Sequence, residues 1–297
     1  MKKITAILLL ILAFSPGKII AQDDLLNLVG DEKPVKERVK YAFKSPRVIN
    51  SHSIEFLNPG TMDFRILHRF GQVNQGYKNF FGLDQASMRM GLDFGIMHNL
   101  MLGIGRSTYK KELDGFIKYA PIRQTTGERN MPLTVAAVAG MMVDGLPWAD
   151  PARKNYYTSR LAYSFQLLIG RKFSESFSLQ IAPTMIHKNI VALSSTPNDI
   201  YALEIGGRLK LSKRIAFTWD YSHVIKPSLD SGYYNPLSVG FDIETGGHVF
   251  QLHFTNATGM NERACITETT GSWAKGDIRF GFNLSRVFQI KKKKADR

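Results

Sequence analysis

The residues of this 297-residue sequence able to carry chemistry are few: seven histidines, one cysteine and scattered hydroxyls and charges. His248 and His253 are five positions apart, so on one strand they point to opposite faces and cannot share a metal ion. No cluster of ligand types has a known metal spacing. Ser222 and His223 are adjacent, which also separates them across a strand and leaves no nucleophile–base pair. Gly103-Ile-Gly-Arg-Ser has the glycine density of a phosphate loop, but no helical pattern follows it, and a tightly packed strand accounts for it better. Cys265 allows no intrachain disulfide, and nothing beside it in the sequence would lower its pKa, so it reads as an incidental thiol. No catalytic, cofactor-binding or metal-binding residue is assigned, no cofactor is implied, and a non-enzymatic role is expected.

The charges are more informative. Arg65, Arg69, Arg89, Lys118, Arg160, Arg208, Lys210 and Arg279 fall on the polar face of alternating segments. So do Asp63, Asp93, Asp114, Glu204, Asp220, Asp242, Glu244 and Asp277. Charges removed from water persist when paired, and a selective pore more often shows one dominant sign. If this face lines a lumen, its balance predicts a narrow, salt-bridged or partly plugged interior.

The elements carrying these residues alternate with period two from Met62 onward. Met62, Phe64, Ile66 and Phe70 oppose Asp63, Arg65 and Arg69. Met88, Met90, Leu92, Phe94 and Ile96 oppose Ser87, Arg89, Gly91, Asp93 and Gly95. The same texture recurs to Phe288 and gives about twelve strands, an even number as bacterial barrels require. A soluble β-sandwich also alternates, so three further features decide. Short links (Met97-His-Asn, 171–176, 212–214, 245–247) interleave with long ones (71–86, 144–158, 188–199, 224–235, 257–275), as in barrels with short periplasmic turns and long outer loops. The polar face is rich in glycine (91, 95, 103, 105, 206, 240 and 281), which weakens an exposed strand but makes room on a concave inner wall. Strands of about ten residues suit a tilted crossing of a bilayer. The fold class is therefore all-β: a transmembrane, antiparallel, up-and-down barrel of about twelve strands. Pro183 predicts a bulge in its strand. Trp148, Trp219, Trp273, Tyr156, Tyr157, Tyr233 and Tyr234 are expected near strand ends, as an interfacial girdle.

Lys2 and Lys3, the apolar run Ile4–Phe14, a Ser-Pro-Gly break and Ala21 form a secretory leader cleaved after Ala21. Eleven apolar residues are too few for a membrane helix, which needs roughly 20. The domain plan is a signal peptide over 1–21, a mobile periplasmic arm over 22–60, the barrel over 61–290 and a basic tail over 291–297. The formal charge of +14 falls to +11 without the leader, and the tail carries +4 of that. The rest is dispersed, with no basic patch for nucleic acid.

The segments MDFRILHRFG (62–71), FGLDQASMRMGLDFGI (81–96), FQLLIGRKFSESFSLQIAPTMIHKN (165–189), ETGGHVFQLHFTNATGM (244–260) and ITETTGSWAKGDIRFGFNLSRVF (266–288) resemble a family of β-barrel proteins of unknown function from Bacteroidota. The resemblance spans about residues 40 to 290 and implies an outer-membrane barrel without supplying an activity. Phe288 is similar to the C-terminal aromatic read by barrel-assembly machinery, although here IKKKKADR follows it. The expected partners are outer-membrane lipid, that machinery and a periplasmic protein held by the arm. The role expected is a narrow small-solute channel or a scaffold barrel. The alternatives are an outer-membrane hydrolase or acyltransferase, and a soluble secreted β-sandwich that binds a partner.

Overall fold

A computed structural model describes residues 35–191, 194, 196–225 and 232–291. The leader over 1–21, the start of the arm and tail residues 292–297 lie outside the described residues.

Twelve antiparallel strands close into a barrel, each paired with its neighbours in sequence. They are β1 (Thr61–Gln72), β2 (Ala86–Met97), β3 (Leu100–Ser107), β4 (Leu113–Ile122), β5 (Thr134–Val143) and β6 (Leu161–Lys172), then β7 (Phe177–Lys188), β8 (Asp199–Lys210), β9 (Ile215–Val224), β10 (Leu237–Thr245), β11 (His248–Thr255) and β12 (Arg279–Gln289). The seam is β12 against β1, with Leu284 opposite Ile66. Closure leaves no unpaired strand edge, the condition for a sheet in lipid.

Side chains follow the alternation. On β1 the odd positions from Thr61 to Gly71 are buried and the even ones are not. Outward positions carry Met90, Ile104, Ile117, Phe165 and Phe241, all exposed, an apolar band suited to lipid. Small residues inside admit large ones: a Cβ on Gly105 would lie 2.2 Å from the Arg89 guanidinium. The ladder runs in unbroken register past Pro183, which pairs with Leu203, so the expected bulge there is absent. Register shifts fall instead at Gly95/Met97, Tyr119/Ile122 and Arg279/Gly281. An outward-facing proline on β7 simply forgoes a bond without an extra residue being inserted.

The largest departure concerns the arm. Residues 42–57 are buried almost throughout and thread the lumen, whereas the sequence reading made 22–60 a mobile periplasmic segment. Phe43, Val48, Ile54, Phe56 and Leu57 pack on inward Met101, Phe116, Ala136, Val138 and Leu168. Burying such a side chain contributes about 1.5–3 kcal/mol, which offsets the entropy of ordering the segment. At the mouth where the segment enters, Glu37–Arg38 pairs with Thr125–Thr126 of the β4–β5 connection. From the opposite mouth the β11–β12 loop folds inward as a short helix, α1 (Glu262–Thr267), every residue of which is buried. Its Ile266 packs on Ile186, Ile200 and Val224.

Candidate functional site

The site is the lumen, where the N-terminal plug meets the wall and α1. The plug reverses direction between Pro46 and Ser53. Val48 N donates to Ser51 O at 2.9 Å and Ser53 N to Pro46 O at 2.9 Å. The tip exposes three backbone N–H groups that this turn leaves without a partner, and β9 supplies one. Asp220 Oδ2 accepts from the backbone of Ile49, Asn50 and Ser51 at 3.2, 2.6 and 3.1 Å. A carboxylate facing converging amides is a strong acceptor.

The remaining tip groups are taken up strand by strand. Asn50 Nδ2 donates to Ser238 Oγ of β10 at 2.8 Å, and Arg69 of β1 donates to Asn50 Oδ1 at 2.7 Å. Asn283 of β12 donates to Ile49 O at 3.1 Å, and Gln251 of β11 donates to Val48 O. Gln180 of β7 accepts from Ile54 N at 2.9 Å and donates to His52 O at 2.5 Å. Lys118 of β4 donates to Glu55 O at 2.6 Å, and Arg65 donates to Ser45 Oγ at 2.7 Å. The backbone groups at the tip are thus taken up largely by wall side chains.

Plug and helix also meet directly. Arg47 Nη1 lies 2.8 Å from Glu262 Oε1, and His52 Nε2 lies 3.1 Å from the same oxygen. Burial, reinforced by Arg47, pushes His52 down to about 3. Burial alone would raise Glu262, but Arg47 and His52 outweigh it and hold the carboxyl well below its usual range. Arg263 anchors α1 to Glu112 at 2.6 Å, and Asn261 caps its first turn through Ala264 N at 2.9 Å.

Among the twelve residues expected in the lumen, Arg65, Arg69, Arg89, Asp93, Lys118, Glu204, Arg208, Asp220 and Asp242 are buried on the inner wall. Arg65 pairs with Asp63 at 2.8 Å and approaches Asp93 at 3.8 Å. Arg89 bonds Asp114 through Nε at 2.8 Å. Glu204 accepts from Thr184 at 2.6 Å, and Asp242 from Gln251 at 2.9 Å. Glu244 stands at the rim where the plug enters, 2.9 Å from Lys44 and 3.4 Å from Arg208. Arg279 lies at the α1-side end of β12 and reaches Phe70 O at 3.4 Å.

Arg160 departs from expectation. It precedes β6, bonds Asp144 O at 2.9 Å and covers the Trp148 ring at 3.8 Å, bracing the β5–β6 loop. Asp277 likewise belongs to the rim on the α1 side, accepting from Asn74 at 2.8 Å. Trp219 departs too: it lies mid-strand over Gly207, where a Cβ would meet its ring at 2.0 Å. Trp273 does stand at the rim, its indole donating to Leu237 O at 2.9 Å.

Wall-to-wall salt bridges therefore satisfy only part of the interior. Lys118 and Asp220 find their partners on the plug, and Arg69 divides its own between Asn50 of the plug and Asn283 of the wall, which sequence reasoning missed. The available clue lay in 42–57, whose Phe43, Val48, Ile49, Ile54, Phe56 and Leu57 are too apolar for a free linker. Cys265 is buried within α1, and burial raises its thiol well above the usual value.

Among the described residues no group of three or more His, Cys, Asp or Glu could hold a metal ion, and no described hydrogen bond joins a serine hydroxyl to a histidine ring. A closed barrel with an apolar exterior and a filled polar interior is a membrane architecture, and the family comparison agrees. Residues 43–288 match the model of the membrane bound beta barrel domain, DUF5777. The chain belongs to this family. The domain begins at residue 43, so the plug is part of the DUF5777 unit rather than an appendage to it.

A comparison with curated proteins finds no match. Among solved structures, the NanC porin is similar at 8% identity and a TM-score of 0.47, covering 76% of this chain and 98% of that one. Omp33 of Acinetobacter baumannii is similar at 8% identity and 0.40, covering 77% and 98%. An outer membrane channel from Pseudomonas putida F1 is similar at 12% identity and 0.43, covering 78% and 97%.

Proposed function

We propose that this DUF5777 barrel works in the outer membrane as a narrow small-solute conduit, closed at rest by its own N-terminal segment. The observation that carries this reading is the plug tip held on Asp220, with wall side chains from six other strands engaged on the plug around it. An open diffusion pore would leave the lumen to water, whereas this lumen is occupied from one mouth by residues 42–57 and from the other by α1. The wall facing the tip is polar, so it would be wetted when the plug leaves.

Leader cleavage after Ala21 and insertion by the barrel-assembly machinery through Phe288 belong to this reading. So does the absence of an enzymatic role. A second reading, a scaffold for a periplasmic partner, is favoured by the short Glu37–Arg38 ladder with Thr125–Thr126, which sets the arm's exit at the periplasmic mouth.

Planar-bilayer recording tests both. The full chain is expected to stay mostly closed, and a chain lacking residues 42–58 is expected to conduct steadily. A deletion variant that folds, as shown by heat-modifiable mobility on gels, yet passes no current would remove the conduit and favour the scaffold.

A further inference from the structure

The outward wall over β1–β5 is not uniformly smooth. A groove of about 620 Å³ runs along it, lined by Met90, Ile104, Leu113, Met141 and Val143, with Gly115 at its floor. Glycine is not demanded at that position by packing. A Cβ on Gly115 would come no nearer than 3.4 Å to a neighbouring heavy atom, and its φ lies outside the left-handed region. What the missing side chain does is keep the groove open.

At its outer end the groove meets a second hollow of about 310 Å³, lined by Met88, Thr108 and Lys111, with Met90 and Arg106 common to both. Arg106 and Lys111 are exposed. The hydrogen bond of Arg106 runs from Nη1 to the Lys111 carbonyl at 2.8 Å. Among the described residues no ion pair neutralises either cation, while neighbouring Lys110 turns to Glu268 at 2.7 Å. Cations on a lipid-facing wall are costly at the midplane and tolerated at the interface, where lipid phosphates lie. Guanidinium matches phosphate oxygens bidentately.

We propose that this groove binds one net-anionic phosphorylated lipid of the outer leaflet, with an acyl chain along Gly115 and its phosphate on Arg106 and Lys111. The apolar trough fits a hydrocarbon chain, and the two unpaired cations at its head fit an anionic headgroup. The choice of leaflet rests on the orientation in the proposed function, in which the mouth where Thr61 pairs with Gln289 faces the periplasm.

The test uses the full chain in detergent micelles and native mass spectrometry, with bis-phosphorylated lipid A and phosphatidylethanolamine as probes. One lipid A is expected to stay bound in preference to phosphatidylethanolamine. Gly115→Leu, which fills the groove, and the pair Arg106→Gln with Lys111→Gln are each expected to weaken retention about tenfold or more, the scale of one charged hydrogen bond. Met141→Trp fills the groove from its other wall and serves if Gly115→Leu fails to fold. Folded variants that retain lipid A as the parent does overturn the site, as does equal retention of the two lipids. Lys111→Cys in intact cells, treated with a membrane-impermeant maleimide, reads the orientation separately. Labelling supports the outer leaflet, and its absence overturns that source whatever the bilayer recordings show.

Discussion

Asp220 on β9 accepts the backbone N–H of Asn50 at 2.6 Å, so one buried wall carboxylate fixes the tip of a segment 170 residues away in sequence. Because Ile49 and Ser51 share the same oxygen, Asp220→Ala leaves three buried amides without their acceptor. Loss of a charged hydrogen bond costs about 1.5–3 kcal/mol, so plug opening is expected to rise by roughly 10- to 100-fold. Tryptic cleavage after Arg47, which is buried in the parent, reads that opening. Asp220→Asn keeps an acceptor and is expected to fall between the two.

Acid is expected to loosen the plug. His52 titrates at about 3 in the folded chain against an ordinary 6.5, so the unfolded or undocked state binds the proton first. Its contribution is fully present above pH 6.5 and is lost progressively as pH falls toward 3. Glu262, held below its usual 4.5, adds a loss that starts as pH falls through about that value. Bilayer openings should grow more frequent from pH 6.5 downward and stay constant from pH 7 to 9. His52→Gln should remove the upper part of that response, and an unchanged profile would discount the pair.

Gly95 faces the irregular stretch by which the plug leaves the lumen. A Cβ there would lie 2.1 Å from the Asn58 carbonyl oxygen, a backbone atom that cannot swing aside. Gly95→Val is expected to displace residues 57–58 and destabilise by about 1–3 kcal/mol, the usual scale of overpacking. Gly115→Val, with open space outside the barrel, should leave the unfolding midpoint in urea close to the parent's. Equal midpoints for the two would count against close packing at Gly95.

Cys265 offers a reporter for the closure made by α1. Burial above all, then the Asp220 charge, raises its thiol, so a maleimide at neutral pH should label the folded chain slowly. Glu262→Gln weakens the contact of α1 with Arg47 and should speed labelling several-fold without changing the barrel's gel mobility. Rapid labelling of the parent would show that α1 does not stay seated.

The barrel itself was legible because lipid imposes a rule on every spanning residue. Met62, Phe64 and Ile66 must face hydrocarbon, so Asp63 and Arg65 must face inward, and this parity survives without knowledge of any contact. The same rule placed nine of the twelve expected lumen charges on the inner wall. Arg160 escaped it because a residue one position before its strand obeys loop geometry instead, and its guanidinium stacks on Trp148. Trp219 escaped because an indole can lie mid-strand where the neighbouring strand offers Gly207.

The plug was not legible in this way, since no periodic rule governs an irregular segment. Its apolar residues mark it as more than a linker, yet where Phe43 and Val48 go depends on a cavity that exists only once twelve strands have closed. Sequence alone determined the strands, their facing and the polarity of the two surfaces, because period-two alternation against a bilayer is a local constraint. Only the tertiary structure decided that Asp220 answers the amides at 49–51 and that Arg47 meets Glu262 across the lumen. Those contacts join separate parts of the chain, and their geometry is set by the closed barrel's interior.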